Sequence, residues 1–416
     1  MKVLLINKYL YPRGGDAICT VGTGRLLQKH GHEVLYWGLQ HPANPDLPGK
    51  HRFLPWVDYG QTAPLLKRVK EGIDILYNFS AEKQLALLLK ESRPDLVHLH
   101  NFAHQLSPSV VQAVKRFSIP AVMTMHDYKL VCPVYLLFRN GRICEDCRGK
   151  RFYHCLLKRC TKHSPVKSLL NTLEMYLHHI VLPLYKKIDL FIAPSHFLRD
   201  KVKAMGFRGK ISVLPNFIDP PDSGTVEQSV PQEGDSIVFA GRLSPEKGLP
   251  VLIAAVQGMK TPVKILGEGP LKSWLGQKLQ ERGLEHVRYL GYRAQAEARK
   301  EIGNSLFAVM PSVWYENCPG FILEAFAAGV PVVGSRLGGI TELVREGQSG
   351  LTFAPGSASD LRTKMEWMLA DRDRTREMGK KARQQILAEN HPEHYYTRLL
   401  TLYRQVLAGQ EGSDEQ

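Results

Sequence analysis

"LFAVMPSVWYENCPGFILEAFAAGVPVVGS", residues 306–335, contains a strand, a helix and a second strand in one uninterrupted stretch. The apolar run at its start stops at Pro311 and Ser312. Pro319 near the next start, Gly329 past the end and Pro331 beyond it bracket a helix, after which "PVVGS" resumes as a strand. Glu316 therefore belongs to the loop and Glu324 to the helix. Two strands of one kind joined through a helix imply parallel pairing with a right-handed crossover.

The same unit recurs on both sides. "KVLLIN", "HEVLYWG", "PDLVHLHN", "PAVMTMHD" and "DLFIAPS" read as strands buried on both faces, separated by helical segments such as 20–30, 81–91 and 107–117. A Pro/Ser/Gly/Asp-rich stretch at 216–235 follows, and then "SIVFAGRL", "PVKILGEG", "VRYLGY", "LFAVMPS", "PVVGS" and "SGLTFAP" form a second set. The predicted class is α/β, with two doubly wound parallel-sheet (Rossmann-like) domains. The first spans 1–216, 217–232 is a linker, and 233–392 is the second domain. Ligands of such sheets bind at the carboxyl ends of strands, so the cleft between the domains is the expected site.

Bulk properties agree with this organisation. A chain of 416 residues exceeds one ordinary core. A hydrophobic share of 44% with 23% charged residues is that of a soluble globular protein, and no run of 18 uncharged apolar residues is present. The expected location is cytoplasmic, with the opening "MKVLLINKYLYP" a buried strand rather than a leader. The formal net charge is +15. No acidic residue lies between Cys147 and Leu173, where Arg148, Lys150, Arg151, Lys158, Arg159, Lys162 and Lys167 accumulate. Such a patch faces phosphates of nucleic acid, lipid head groups or a phosphorylated substrate, or is simply a solvated surface.

Unusual residues fall where strands end. Gly14 and Gly15 follow the first strand and let backbone amides approach a ligand, although a plain turn is the more ordinary reading of such a pair. His126 closes the fourth strand, where a lone histidine is more often structural. Arg242 and Lys247, in "GRLSPEKG", sit after a strand and before a helix. Two cations beside a helix amino terminus suit a diphosphate; the plainer reading is a solvated loop.

The ordered series "GRLSPEKG", "LGEGP", "VRYLGY" and "ENCPGFILEAFAAGVPVVGSRLGGITELVREGQSGLTFAPG" closely resembles the nucleotide-binding half of family 4 glycosyltransferases, over about residues 236–356. The glycine pair, "HD" and "PNFID" extend the similarity over the rest. The resemblance implies a GT-B fold, retention of anomeric configuration and catalysis without a metal, with cations in the place of Mg²⁺. It implies that Glu316 lies by the donor sugar and Glu324 holds the nucleotide ribose. Arg242 and Lys247 would neutralise the diphosphate, His126 would lie next to the sugar, and Gly14 and Gly15 would form the glycine loop. The amides of Gly320 and Phe321 would bind sugar hydroxyls or phosphate oxygens. Pro319 departs from the commoner glycine and removes one N–H from that cradle. The last helix, 393–409, would return to the first domain, with Gln410 onward frayed.

Five of seven cysteines, Cys132, Cys144, Cys147, Cys155 and Cys160, crowd a basic insert at about 132–165. The C-x2-C pair Cys144/Cys147 in a cytoplasmic chain points to structural zinc rather than disulfides, while free thiols packed in an apolar pocket are the plain alternative. A subset of the family resembles this insert and implies Cys132, Cys144, Cys147 and Cys160 as ligands, with Cys155 as substitute. The basic insert in the acceptor-binding half suggests a glycan or lipid-diphosphate-linked acceptor at an anionic membrane surface, as in surface polysaccharide assembly, with the chain peripheral on the cytoplasmic face of the inner membrane. Two rivals are a nucleotide-sugar epimerase of related fold and a zinc-stabilised nucleic-acid-binding protein. The second leaves the glutamate pair and the "GRLSPEKG" loop unexplained, so no nucleic-acid partner is expected.

Overall fold

The computed structural model describes residues 1–57, 59, 64–218 and 234–411. Most of the expected linker, 219–233, lies outside them. The chain divides into two compact units. Unit 1 is Met1–Leu137, Glu145–Asn216 and Tyr395–Gln416; unit 2 is Phe138–Cys144 and Phe217–His394. The Cys-rich insert, expected wholly in the first domain, is thus divided, since Phe138–Cys144 groups with unit 2.

In unit 1 the strands are β1 (Lys2–Ile6), β2 (Glu33–Trp37), β3 (Leu96–Leu99) and β4 (Ala121–Thr124), then β7 (Leu190–Ala193) and β8 (Ile211–Val213). Between them the insert carries the two-residue strands β5 (Phe138–Arg139) and β6 (Arg142–Ile143), paired antiparallel. Unit 2 contains β9 (Ile237–Ala240), β10 (Val263–Leu266), β11 (Val287–Gly291), β12 (Phe307–Met310), β13 (Val332–Ser335) and β14 (Gly350–Phe353). Every pair within the two six-stranded sheets is parallel.

The sheet orders are β2-β1-β3-β4-β7-β8 and β11-β10-β9-β12-β13-β14. Each order reverses direction once, between β1 and β3 in unit 1 and between β9 and β12 in unit 2. Crossovers leave toward opposite faces there, opening a crevice beyond the strand ends. Both faces of the central strands β3, β4, β7, β12 and β13 are covered, and these strands, with the edge strand β14, are buried throughout. In unit 2 one side is packed by Phe239, Leu252 and Phe307, and the other by Ile322, Phe326 and Ile386. This is why these segments read as continuous apolar runs.

The last helix, Pro392–Glu411, belongs to unit 1 from Tyr395 onward. Its tyrosines reach polar partners in the core: Tyr395 Oη lies 3.2 Å from Thr23 Oγ1. Tyr403 Oη lies 2.6 Å from His98 Nδ1. Among the described residues no helix is long and apolar enough to cross a membrane.

Candidate active site

Unit 2 gathers most of the chemistry at its point of strand-order reversal. β9 runs into the loop bearing Arg242 and Lys247, and β12 into the loop bearing Ser312, Trp314 and Glu316. Lys247 Nζ lies 2.7 Å from Glu316 Oε1. The same oxygen accepts from Ser312 Oγ at 2.6 Å and from Trp314 Nε1 at 2.8 Å. The Lys247 ammonium also sits over the Trp314 ring, 5.3 Å from its centre. Three donors on one oxygen of a carboxylate that is 4% exposed make Glu316 a fixed anion that holds Lys247 in place.

The two loops approach at van der Waals limits. Gly248, at φ +71°, would drive a Cβ to 1.7 Å from the carbonyl oxygen of Pro311. Gly338 and Gly339 perform the same service on the other side. A Cβ on Gly339 would lie 1.7 Å from the Asn317 carbonyl oxygen, and the Gly339 amide donates to Glu316 O at 2.7 Å. Those two glycines stand in the quoted motif, but sequence reasoning gave them no role; their signal was a Gly-Gly pair following a strand.

Arg242 is placed differently. Its side chain is 60% exposed and donates to Glu246 Oε1 at 2.8 Å and to Ser244 Oγ at 3.3 Å. Burial acts to raise the Glu246 carboxyl, but hydrogen bonds from Ser244, from the backbone and from Arg242 outweigh it and hold it low. The guanidinium is thus anchored at one edge with the rest open to solvent.

The helix of the opening stretch runs Gly320–Ala327, with Pro319 as its first flanking residue and no side-chain cap. The amides of Gly320 and Phe321 are the first two of the helix and have no acceptor within it. Glu324 lies in the second turn, where Gln295 Nε2 donates to its Oε1 at 3.1 Å and Arg299 Nε is 3.8 Å away. Burial raises its carboxyl above the usual range. The Asp371-x-Asp373 triplet serves a helix end: Asp371 Oδ1 accepts from Arg374 N at 3.0 Å and Asp373 pairs with Arg376 at 3.1 Å.

Unit 1 carries the remaining predicted residues. Gly14 is extended (φ −165°) and leads into the helix Gly15–Lys29. The helix starts five residues before the expected 20, because Gly15, Asp16 and Ala17 are already helical. Asn101 Nδ2 donates to Asp16 Oδ2 at 3.2 Å, tying this helix start to the end of β3 across the crevice. His126, just past β4, lies with its Nε2 2.9 Å from His100 Nδ1. Burial lowers the basicity of both rings, opposed at His126 by Asp16, so both are neutral near pH 7. Cys19, His100 and His126 place their ligand atoms within 4.8 Å of one another, a cluster that was not foreseen. Only the strand-end position of His126 could be read beforehand, since Cys19 and His100 look like core residues.

Behind His126 is a buried ion pair. Lys129 Nζ donates to Glu174 Oε2 at 2.6 Å and to Pro133 O at 3.0 Å. The pair ties the loop after β4 to the insert helix Pro165–Tyr176.

The cysteines expected to hold zinc share one segment but do not converge as foreseen. Cys155, kept as the substitute, is buried along with Cys132 and Cys147, and a hydrogen bond from Cys160 lowers its thiol to about 7. Cys132 is close enough to feel its charge, while burial raises the Cys132 thiol. Among the described residues no three cysteine sulfurs lie within 4.8 Å of one another. As placed, these side chains do not fit a closed tetrahedral thiolate cage.

Two doubly wound units, with a lysine–carboxylate pair and a free helix amino end at one point of strand-order reversal, define a GT-B glycosyltransferase. Residues 13–221 match the profile described as Glycosyltransferase Family 4, and 226–385 the one described as Glycosyl transferases group 1. The chain belongs to glycosyltransferase family 4. It is 26% identical over 359 residues to a 42.6 kDa protein in the cps region of Klebsiella pneumoniae, covering 83% of this chain and 88% of that one. It is 26% identical over 239 residues to the lipopolysaccharide 1,2-N-acetylglucosaminetransferase of Salmonella typhimurium, covering 52% and 62% of the two chains. Its fold is similar to that of Anabaena HepE in complex with UDP and glucose, with a TM-score of 0.68, 18% identity and coverage of 97% and 100%.

Proposed function

We propose that this glycosyltransferase moves a sugar, with retention of configuration, from a nucleoside diphosphate sugar to a glycan or lipid-diphosphate-linked glycan during surface polysaccharide assembly. The observation that carries the reading is the 2.7 Å Lys247–Glu316 pair at the strand-order reversal of unit 2. When the bond from the anomeric carbon to the diphosphate oxygen breaks, negative charge grows on the leaving phosphate. Lys247 and Arg242 supply fixed positive charge there, worth more in the transition state than before it.

The acceptor hydroxyl attacks from the face the diphosphate leaves. Its proton passes to the departing phosphate oxygen as the new carbon–oxygen bond forms. Glu316 is a positioning residue in this scheme, because its Oε1 is already committed to three donors. The amides of Gly320 and Phe321 take phosphate or sugar oxygens, and Glu324 exchanges its Gln295 contact for the ribose hydroxyls. Neutral His126 sits by the sugar, with the Gly14–Gly15 turn at the donor phosphate.

Zinc enters as a structural proposal on the C-x2-C spacing alone, and no chemistry passes through it. Cys132, Cys144, Cys147 and Cys160, or Cys155 for one of them, would have to turn toward a common point. Metal analysis of chelator-free protein is expected to give about one zinc per chain; less than half an equivalent with titratable thiols would remove it. The enzymatic reading is tested by thermal denaturation against nucleoside diphosphates and their sugars, UDP first because the neighbour HepE binds it. A ligand that binds only the native state raises Tm, increasingly as its concentration exceeds Kd. No shift with any nucleotide would reject the donor site; product formed without an acceptor would replace transfer by epimerisation.

A further inference from the structure

The insert helix Pro165–Tyr176 turns most of its polar side chains inward. It buries Ser168, Asn171, Thr172 and Glu174 together with Met175, and exposes Val166, Leu169 and Leu173, with Val166 72% open to solvent. The buried polar side chains are bonded: Thr172 Oγ1 donates to Ser168 O at 2.8 Å, Ser168 Oγ accepts from Thr161 N at 3.0 Å, Asn171 Nδ2 donates to Thr161 Oγ1 at 3.0 Å, and Glu174 Oε2 accepts from Lys129 Nζ at 2.6 Å. A helix bordered by water does the reverse, turning its apolar stripe to the core.

The neighbouring helix Leu65–Leu76 buries none of its described side chains and also leaves an apolar stripe exposed. Leu66, Val69 and Ile73 are exposed, Leu66 by 85%, at the same i, i+3, i+7 spacing as Val166, Leu169 and Leu173. His178, in the turn that continues the insert helix, donates from Nε2 to Leu76 O at 2.6 Å and joins the two helix ends. We infer that these two helices form a docking face for an anionic lipid bilayer, with both apolar stripes entering the acyl boundary.

Charge selects this occupant. Lys67, Arg68 and Lys70 on the first helix and Lys162 and Lys167 at the start of the second are all exposed, where they meet lipid phosphates as the stripes insert. A second copy of the chain is disfavoured on the same ground, since each copy brings a formal charge of +15. The earlier expectation tied lipid to the cationic run alone; here the apolar stripes supply insertion and the cations supply attraction.

The inference rests on the reading of a membrane-borne acceptor, and the test keeps the two apart. Full-length protein is floated, without donor or acceptor, with vesicles of phosphatidylcholine alone or containing one-fifth phosphatidylglycerol, at 0.1 M and 0.5 M salt. Expected is partition onto the anionic vesicles, weakened by salt because the attraction is screened within about 10 Å at 0.1 M. The exposed-site variant Leu169→Asp/Leu173→Asp should lose at least about tenfold in partition, while keeping the wild-type Tm and its rise with nucleotide. Lys162→Gln/Lys167→Gln should lose the preference for anionic lipid. Wild-type protein that stays off both vesicles, or a Leu169→Asp/Leu173→Asp variant that floats like wild type, overturns the face. So does a variant whose only change is a smaller oligomer in sedimentation. Transfer to a water-soluble acceptor, measured without vesicles, judges the enzymatic reading independently.

Discussion

Lys247 owes its position to a carboxylate, a tryptophan ring and a glycine that lets two loops touch. Lys247→Ala removes a cation aimed at the leaving diphosphate, and kcat/KM for transfer should fall at least about a hundredfold, the scale of losing one charge-stabilising donor. Near-normal kinetics would discard the clamp. Glu316→Gln keeps the shape but not the charge that orients the ammonium. It should lower activity on its own yet add little in the Lys247→Ala background, because paired groups are not additive. Full additivity in that double-mutant cycle would give Glu316 a separate role. Gly248→Ala combines a positive φ with a Cβ 1.7 Å from the Pro311 oxygen. It should cost about 2 kcal/mol or more of stability by urea unfolding; a wild-type midpoint would contradict the close approach of the two loops.

At the level of elements, the proposed reaction has the donor sugar read at the amino end of the helix Gly320–Ala327. Pro319→Gly restores an N–H there, and one added hydrogen bond is worth about 0.5–1.5 kcal/mol. The expected result is a shift of about two- to tenfold in relative kcat/KM between competing donor sugars, read by pairwise competition; an unchanged preference would move specificity elsewhere. This helix was legible in the sequence because Pro319, Gly329 and Pro331 mark its ends, and all but one of the main-sheet strands were legible as apolar runs. The exception is β8, three residues at the sheet edge and half-exposed along its length, which leaves no such run. Within the candidate site, the places of Arg242, Lys247 and Glu316 just beyond strands, and of Glu324 on the helix, were legible from their order along the chain. The hydrogen bonds of Ser312 and Trp314 to Glu316, the Cys19–His100–His126 cluster and the inverted insert helix were not. Each depends on which way a side chain turns once the chain is folded.

For the whole molecule, stability should be acid-sensitive. Burial lowers His98 and His179 to about 3 and His178 to about 4, and also holds His100 well below the usual histidine range. In the unfolded chain these rings return to about 6.5. Above that pH both states are neutral and nothing is lost. As pH falls below it, the unfolded chain gains protons that the fold refuses, so each ring removes up to about 1.4 kcal/mol per pH unit. Tm should therefore drop steadily between about pH 6.5 and 4, checked by calorimetry at constant ionic strength; a flat profile would mean the rings are charged where they lie. One of them, His98, shares its Nδ1 with Tyr403, on a helix drawn from the far end of the chain. Unit 1 is thus assembled from segments that lie before and after the main span of unit 2 in the chain. On the ribosome it waits, with the Tyr403 and Leu399 seats unfilled, until unit 2 has been synthesised, so the order of synthesis and the order of final folding are opposed in this protein.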